Sequence, residues 1–394
     1  MDLSFSTTEE AFRSELRTWL AANKPQHDFD PTTLAEEVAY LVDWQHRLHA
    51  GGWVGVHWPR ECGGRGATVI ENYLFQEEMA RAKAPMLINL AGLTMGGPVL
   101  IAHGTDEQKR RHLRKILAAE EIWCQGFSEP NAGSDLAALK TRAVLEGDSF
   151  VVSGQKVWTS FARYADWCML LVRTDVEAPK HKGITFLLVD MHSPGVSVRP
   201  LKQISGEEDF NEVFFEDVRV PRANIVGELN GGWEIAITTL MHERATLTFT
   251  RQLQSRTALT DMLSLARHWQ VDGRPATQNR LLRQQLAQAL IESDVIKFTA
   301  YRSLTKTLRG GIPGPEGSME KLFWSEMYQR MLDVPLAMQG PYSQLMKGSP
   351  HVPDNGQWPH LMLYSRGRTI AAGSSEIQRN IIAERVLRLP RESK

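Results

Sequence analysis

The apolar residues of this chain change their spacing twice, and that change limits the fold more than any single motif. Up to about residue 120 they recur every three or four positions, as on the buried face of a helix; Phe12, Leu16, Trp19 and Leu20 are the first example. From Trp123 the period drops to two. The segments DSFVVSGQKVWTS, WCMLLVRTD, GITFLLVDM, VSVRPL and NEVFFEDVRVP read as five strands separated by turn clusters. Their connections are short and contain no crossover helix, which predicts antiparallel pairing. From Gly231 the helical period returns, with helices expected at about 231–270, 276–308, 316–341 and 359–387 and a polar Gly/Pro loop at 343–358. Helix, sheet, helix is an α+β chain. The expected domains are 1–120, 121–228 and 229–394.

Within the first block, Ser6 or Thr7 is placed to cap a first helix, and a second runs from about Leu34 to His49 before Gly51-Gly52. Further helices are expected near Val69–Ala82 and Leu87–Ile101. Thr105-Asp106-Glu107 opens EQKRRHLRKILAAEE with acids first and bases behind, as the helix dipole favours, and its basic side reads as a solvated face. The formal net charge is −1 and no basic run exceeds a few residues, so nothing points to a nucleic-acid partner. No apolar run approaches the ~20 residues of a membrane span. Cys62, Cys124 and Cys168 are widely spaced, without metal-ligand spacing, and read as reduced, buried thiols. An acidic, amphipathic N-terminus and a C-terminal Glu-Ser-Lys do not read as targeting signals, so a cytoplasmic protein is expected.

The chemistry concentrates between Trp123 and Ser160. WCQGFS runs as a strand into the turn Pro130-Asn131-Ala132-Gly133-Ser134-Asp135, which exposes backbone N–H groups and hydroxyls. Phe150-Val151-Val152-Ser153 alternates as a second strand, a turn is expected at Gly154-Gln155, and Lys156 to Ser160 follow. Two strand ends bearing hydroxyls beside Phe127 and Trp158 suit a flat, heteroaromatic, hydrogen-bonding ligand. Spacing alone fits an ordinary hairpin corner equally well.

EPNAGSD followed by GQKVWTS resembles the middle domain of the acyl-CoA dehydrogenase family, flavoenzymes that oxidise acyl-CoA thioesters at the α and β carbons. The resemblance extends to GSSEIQRNIIAERVLRLPR near the C-terminus. It implies an N-terminal helical domain, a central antiparallel β domain and a C-terminal four-helix bundle, assembled as tetramers. By the same resemblance FAD is the cofactor, with Phe127 and Ser128 against the isoalloxazine ring, Trp158 at its edge and Ser160 near N5. Ser134 falls where the family contacts the substrate's CoA portion. Ser374 and Glu376 fall on the cofactor side, Glu376 reading equally as a helix-start residue.

The base is the informative departure. Most familiar members carry a glutamate where this chain has Ala372, which cannot take a proton. A minority branch, including isovaleryl-CoA-type enzymes, places it before an Arg on the first long C-terminal helix. Here GWEIAITTLMHERATLTF puts Glu243 before Arg244 in that register. Trp233, Ala236, Leu240 and Leu247 form an apolar stripe, and Glu243 projects from its edge. A partly desolvated carboxylate there is a stronger base; the alternative is an exposed Glu paired with Arg244 or a neighbour. Arg244 and Ala372 are expected at the substrate, the Ala372 N–H donating to the thioester carbonyl. The family's Arg-x-x-Phe-Gly and Gln-x-x-Gly-Gly segments, which reach the FAD diphosphate from a neighbouring subunit, have no match here. Arg267 or Arg274 would have to substitute, or a related chain in a mixed tetramer would supply the groups. The resemblance implies an acyl-CoA dehydrogenase that passes electrons to an electron-transfer flavoprotein, in fatty acid or sterol side-chain catabolism. The alternatives are a non-catalytic partner subunit, and a flavin oxidase or monooxygenase on the same fold.

Overall fold

The computed structural model describes residues 5–25, 31–309 and 314–390; the side chains of residues 242–249 lie outside that description. The chain divides into two compact units, Met1–Glu243 and Arg244–Lys394.

The first unit opens with five helices, α1 (Thr7–Asn23), α2 (Leu34–Ala50), α3 (Val69–Arg81), α4 (Gly97–His103) and α5 (Asp106–Leu117). Ser6, Thr33, Thr68 and Thr105 each cap a helix in a reciprocal capping box with the residue three positions on. The helix expected at Leu87–Ile101 is shorter, because Gly92–Gly96 forms a π turn before α4. Gly97 has to be glycine, since a Cβ there would meet the Trp58 ring at 2.0 Å. The basic side of α5 does face solvent at Arg110, Arg111 and Arg114. His112 instead turns inward, with Nδ1 2.8 Å from Glu121 Oε2.

An eight-stranded sheet follows: β1 (Trp123–Gly126), β2 (Arg142–Glu146), β3 (Ser149–Ser160), β4 (Trp167–Arg173), β5 (Ile184–Asp190), β6 (Val196–Pro200), β7 (Phe210–Pro221) and β8 (Ile225–Val226). Its order is β6-β7-β3-β2-β4-β5-β8, with β1 beside β4. Pairing is antiparallel except where β4 meets β1 and, at one residue pair, β2. β4 and β5 are buried on both faces, which is why they read as unbroken apolar runs. Val38 and Leu41 of α2 share a core with Cys124, Val152, Leu170, Leu187, Val213 and Phe215 of the sheet. Cys124 and Cys168 are buried as expected, whereas Cys62 is half-buried.

Gly154-Gln155 is not the expected turn. β3 runs straight through it with a register shift against β7, and the chain reverses instead at Gly147, between β2 and β3. Gly154 has φ +156°, and a Cβ there would lie 2.6 Å from Thr141, so the position demands glycine for close approach rather than for reversal.

α6 (Gly232–His268) carries the boundary between the units. In the second unit β9 (Gln270–Val271) and β10 (Arg274–Pro275) form a small ribbon, followed by α7 (Arg280–Leu308), α8 (Gly317–Gln339), α9 (Gln357–Ser365) and α10 (Ser375–Ile381). α8 packs against α7, α9 and α10 around Met262, Leu286, Trp324, Met331 and Trp358. The single helix expected at 359–387 is broken into α9 and α10, because Ala372 and Gly373 both adopt left-handed conformations between them. No helix among the described residues is long and apolar enough to cross a membrane.

Candidate active site

Two segments of the first unit that lie far apart in sequence are drawn together at the end of β1. The Val157 N–H donates to the Ser128 carbonyl at 2.9 Å, and the Lys156 ammonium donates to the Phe127 carbonyl at 3.0 Å. Lys156 also donates to Glu129 Oε1 at 2.8 Å. Glu129 further accepts the backbone N–H groups of Lys140 (2.7 Å) and Thr141 (2.8 Å), tying the EPNAGSD loop to β3. Burial alone would raise the Glu129 carboxyl, but the Lys156 charge and the hydrogen bonds outweigh it and hold it below its ordinary value. Lys156 is 0% exposed, and burial holds its ammonium below the ordinary lysine value despite Glu129. The turn itself is closed by reciprocal bonds between Glu129 and Ala132, and Lys180 pairs with Asp135.

Phe127 is buried, edge-on to Phe186, and Ser128 is half-buried beside it. Trp158 is more exposed than the aromatic residues around it. It is 59% exposed and sits at φ +62°, in a register shift between Lys156 and Thr159. A bulky residue in this region carries on the order of 1–3 kcal/mol of strain, and an exposed indole returns little burial to offset it. The arrangement makes physical sense if another flat group covers the indole. Ser160 is exposed one alternation further on, while Thr159 turns inward, and among the described residues its hydroxyl has no hydrogen-bond partner. Gln125 Nε2, on β1, is likewise buried without a partner among the described residues. Hydroxyls, an exposed indole, and buried Phe127 beside half-buried Ser128 fit the isoalloxazine of FAD. Ser134 is exposed on the adjoining turn, open to a ligand. A depression of about 280 Å³ beneath this loop is lined by Glu129, Asn131, Lys140, Thr141, Gly154 and Gln155, and touches neither Trp158 nor Ser160.

In the second unit Ala372 and Gly373 stand at φ +53° and +86°. The Gln378 amide donates to the Ala372 carbonyl at 2.9 Å, turning that carbonyl inward. Among the described residues the Ala372 N–H has no hydrogen-bond acceptor. The Ser374 hydroxyl caps α10, accepting from the Ile377 N–H at 3.3 Å. Glu376 is exposed in the first turn; its backbone N–H and the Ser374 hydroxyl hold its carboxyl below the ordinary value. Arg267 and Arg274 are both exposed.

α6 passes through Glu243 and Arg244, whose side chains, like that of Leu247, lie outside the described residues. Before them Ile235, Ala236 and Thr239 are buried, and Trp233 and Leu240 are half-buried. Two residues escaped the sequence reading: Glu129 and Lys156. Lys156 was detectable, since it shares the even-numbered alternation of the inward residues Phe150 and Val152, where a charge demands a partner.

The whole chain matches one family in order: the acyl-CoA dehydrogenase N-terminal domain over residues 6–120, the middle domain over 124–218 and the C-terminal domain over 230–387. The chain belongs to the acyl-CoA dehydrogenase family. It is 38% identical over 409 aligned residues to acyl-CoA dehydrogenase IpdE1 of Mycobacterium tuberculosis, covering 98% of this chain and 99% of that protein. Among solved structures it resembles the ChsE4-ChsE5 complex from Mycobacterium tuberculosis, with 32% identity, TM-score 0.85 and full coverage of both chains. A steroid acyl-CoA dehydrogenase described as Tcur3481-Tcur3483 matches at 29% identity and TM-score 0.86, again over the full length of both chains.

Proposed function

We propose that this protein is an FAD-dependent dehydrogenase that converts an acyl-CoA thioester to the 2-enoyl-CoA. The observation that carries the proposal is Trp158, an exposed indole held in a left-handed backbone conformation beside Ser128, within a chain that matches the family along its full length. Phe127, Ser128, Trp158 and Ser160 hold the isoalloxazine, and Ser134 contacts the CoA portion. FAD bound there supplies the acceptor for the β hydride. Glu243 removes the α proton, and Arg244 sits beside it at the substrate. The Ala372 N–H donates to the thioester carbonyl, stabilising enolate-like charge at the α carbon. Alanine at position 372 removes a side-chain base but leaves this backbone donor intact.

With the base on α6 and a methyl group at Ala372, space near the α–β bond is less crowded, which favours branched or bulky acyl chains, including sterol side-chain thioesters. The steroid description of one similar structure supports that choice. An electron-transfer flavoprotein is the proposed oxidant, and the cytoplasm the proposed location. The test is a panel running from butyryl- and octanoyl-CoA to branched and sterol side-chain CoA thioesters, assayed with an artificial electron acceptor. Preference for a bulky chain in kcat/KM supports the reading; preference for a short straight chain contradicts the substrate class, and rapid peroxide formation under air points to an oxidase.

A second reading has its own support. Two of the similar structures are described as paired proteins, and this chain lacks the family's diphosphate-binding segments. Both support a mixed tetramer in which a related chain completes the FAD site. One FAD per chain in a homotetramer of the protein expressed alone would exclude it.

A further inference from the structure

The turn that presents the Ala372 N–H is held from behind by a buried lysine. Lys321, on α8, is 3% exposed, and its ammonium donates to the Gly373 carbonyl at 2.6 Å. Gln378 donates to the same carbonyl at 3.3 Å and to that of Ala372 at 2.9 Å. Both carbonyls of the left-handed pair are thus pinned inward. Gly373 stands at φ +86°, a conformation that L side chains rarely adopt, and a Cβ there would also meet Gln378 Nε2 at 2.4 Å and displace that amide.

Satisfying one carbonyl does not require a buried charge, since a neutral donor, Gln378, already reaches it. Burying an ammonium is costly, and among the described residues Lys321 forms no salt bridge with a carboxylate. Burial first, and then the nearby Arg251 guanidinium, lower its pKa to about 8, against the opposing pull of Glu326 and Glu376. It remains cationic at neutral pH. What the charge adds is a stronger hydrogen bond at a strained turn, and positive potential in a region of low dielectric.

We infer that Lys321 is a positioning residue for the dehydrogenation, fixing the Ala372–Gly373 turn through the Gly373 carbonyl so that the Ala372 N–H is held toward the thioester oxygen. The inference rests on the reading of that N–H as the carbonyl donor. The second donor, Gln378, keeps the turn folded without the lysine, so loss of Lys321 loosens the donor rather than the protein.

Acetoacetyl-CoA is the probe, because its enolate carries the oxyanion this donor would stabilise. The holoenzyme is mixed with it at pH 7, and the enolate fraction is read from its absorbance. FAD content and thermal midpoint are recorded for the wild type, Lys321→Met and Lys321→Arg. The expected result is bound enolate in the wild type, an enolate-to-keto ratio lowered roughly tenfold in Lys321→Met, the scale of one charge-assisted hydrogen bond, and recovery in Lys321→Arg. An unchanged ratio in Lys321→Met, with wild-type enolate formation intact, overturns the inference alone. A wild type that binds only the keto form overturns the Ala372 reading, and the inference with it. Should Lys321→Met lose its flavin, Lys321→Gln, which retains a neutral donor, takes its place with the same expected direction.

Discussion

Replacing Lys156 by methionine should destabilise the β domain by about 3 kcal/mol. Lys156 is fully buried and bridges Glu129 at 2.8 Å and the Phe127 carbonyl at 3.0 Å. Removing one partner of a buried ion pair costs about 3–5 kcal/mol, because the other charge is left uncompensated. Glu129 is 8% exposed and keeps the N–H groups of Lys140 and Thr141, so the lower end applies. The Phe127 carbonyl, on the proposed flavin-binding edge, loses its donor as well, so FAD retention should weaken together with stability. The reverse change, Glu129→Gln, behaves differently with pH. Burial already holds Lys156 below its ordinary value of 10.5, and losing the carboxylate lowers it further. Between that lowered value and 10.5 the unfolded chain binds the extra proton, so stability rises with pH across this window. The cost of Glu129→Gln should therefore shrink as pH rises toward 10.5. The assay is urea unfolding followed by tryptophan fluorescence, at matched FAD concentration because bound cofactor stabilises the native state. A Lys156→Met cost below about 1 kcal/mol, or a Glu129→Gln cost independent of pH, would refute the reasoning.

Other outcomes follow from the same geometry. Trp158→Gly should change the stability of the FAD-free protein by less than about 1 kcal/mol, since glycine adopts φ +62° without strain, yet it should weaken FAD retention; a large stability loss with FAD binding intact would contradict the role given to the indole. Acid should act in two stages. Burial, then the Arg114 charge, depress His49, so its contribution is lost as pH falls from 6.5. Glu121 and Glu129 are held below 4.5 by His112 and Lys115 and by Lys156 respectively, against the opposing effect of burial; their contributions persist down to 4.5 and are lost as pH falls through the depressed values. Urea midpoints measured from pH 7 to pH 4 that stay flat would count against the first stage.

The sequence made the layer order legible because its apolar period reports directly which face of each element is buried. Capping residues located helix starts for an equally local reason: Ser6 and Thr105 bond within three residues of themselves. Gly154 misled because glycine marks both reversal and close approach, and only Thr141, brought in by the β2–β3 pairing, distinguishes them. The break between α9 and α10 was hidden for a similar reason, since alanine at position 372 carries no local preference for φ +53°. That conformation is held by Gln378 and by Lys321, the latter a residue of another helix. Phe127, Ser128, Trp158 and Ser160 were recognisable as motif residues, and the strain at Trp158 was not, because it arises from the register of β3 against β7. Lys156 and Glu129 are 27 residues apart, and their pairing depends on sheet geometry that no local pattern encodes.

The central proposal is that Glu243 removes the α proton, with FAD held along the Phe127–Ser160 edge supplying the hydride acceptor. It is tested most directly by mixing holoenzyme anaerobically with the best substrate of the CoA-thioester panel and following bleaching of the flavin band. Glu243→Gln should retain FAD and slow flavin reduction by roughly 10²–10⁴-fold, the range for loss of a general base. Glu376→Gln, altering an exposed carboxylate in the first turn of α10, should change it only a few-fold. Flavin reduction at wild-type speed in Glu243→Gln, or a large loss confined to Glu376→Gln, would contradict the account.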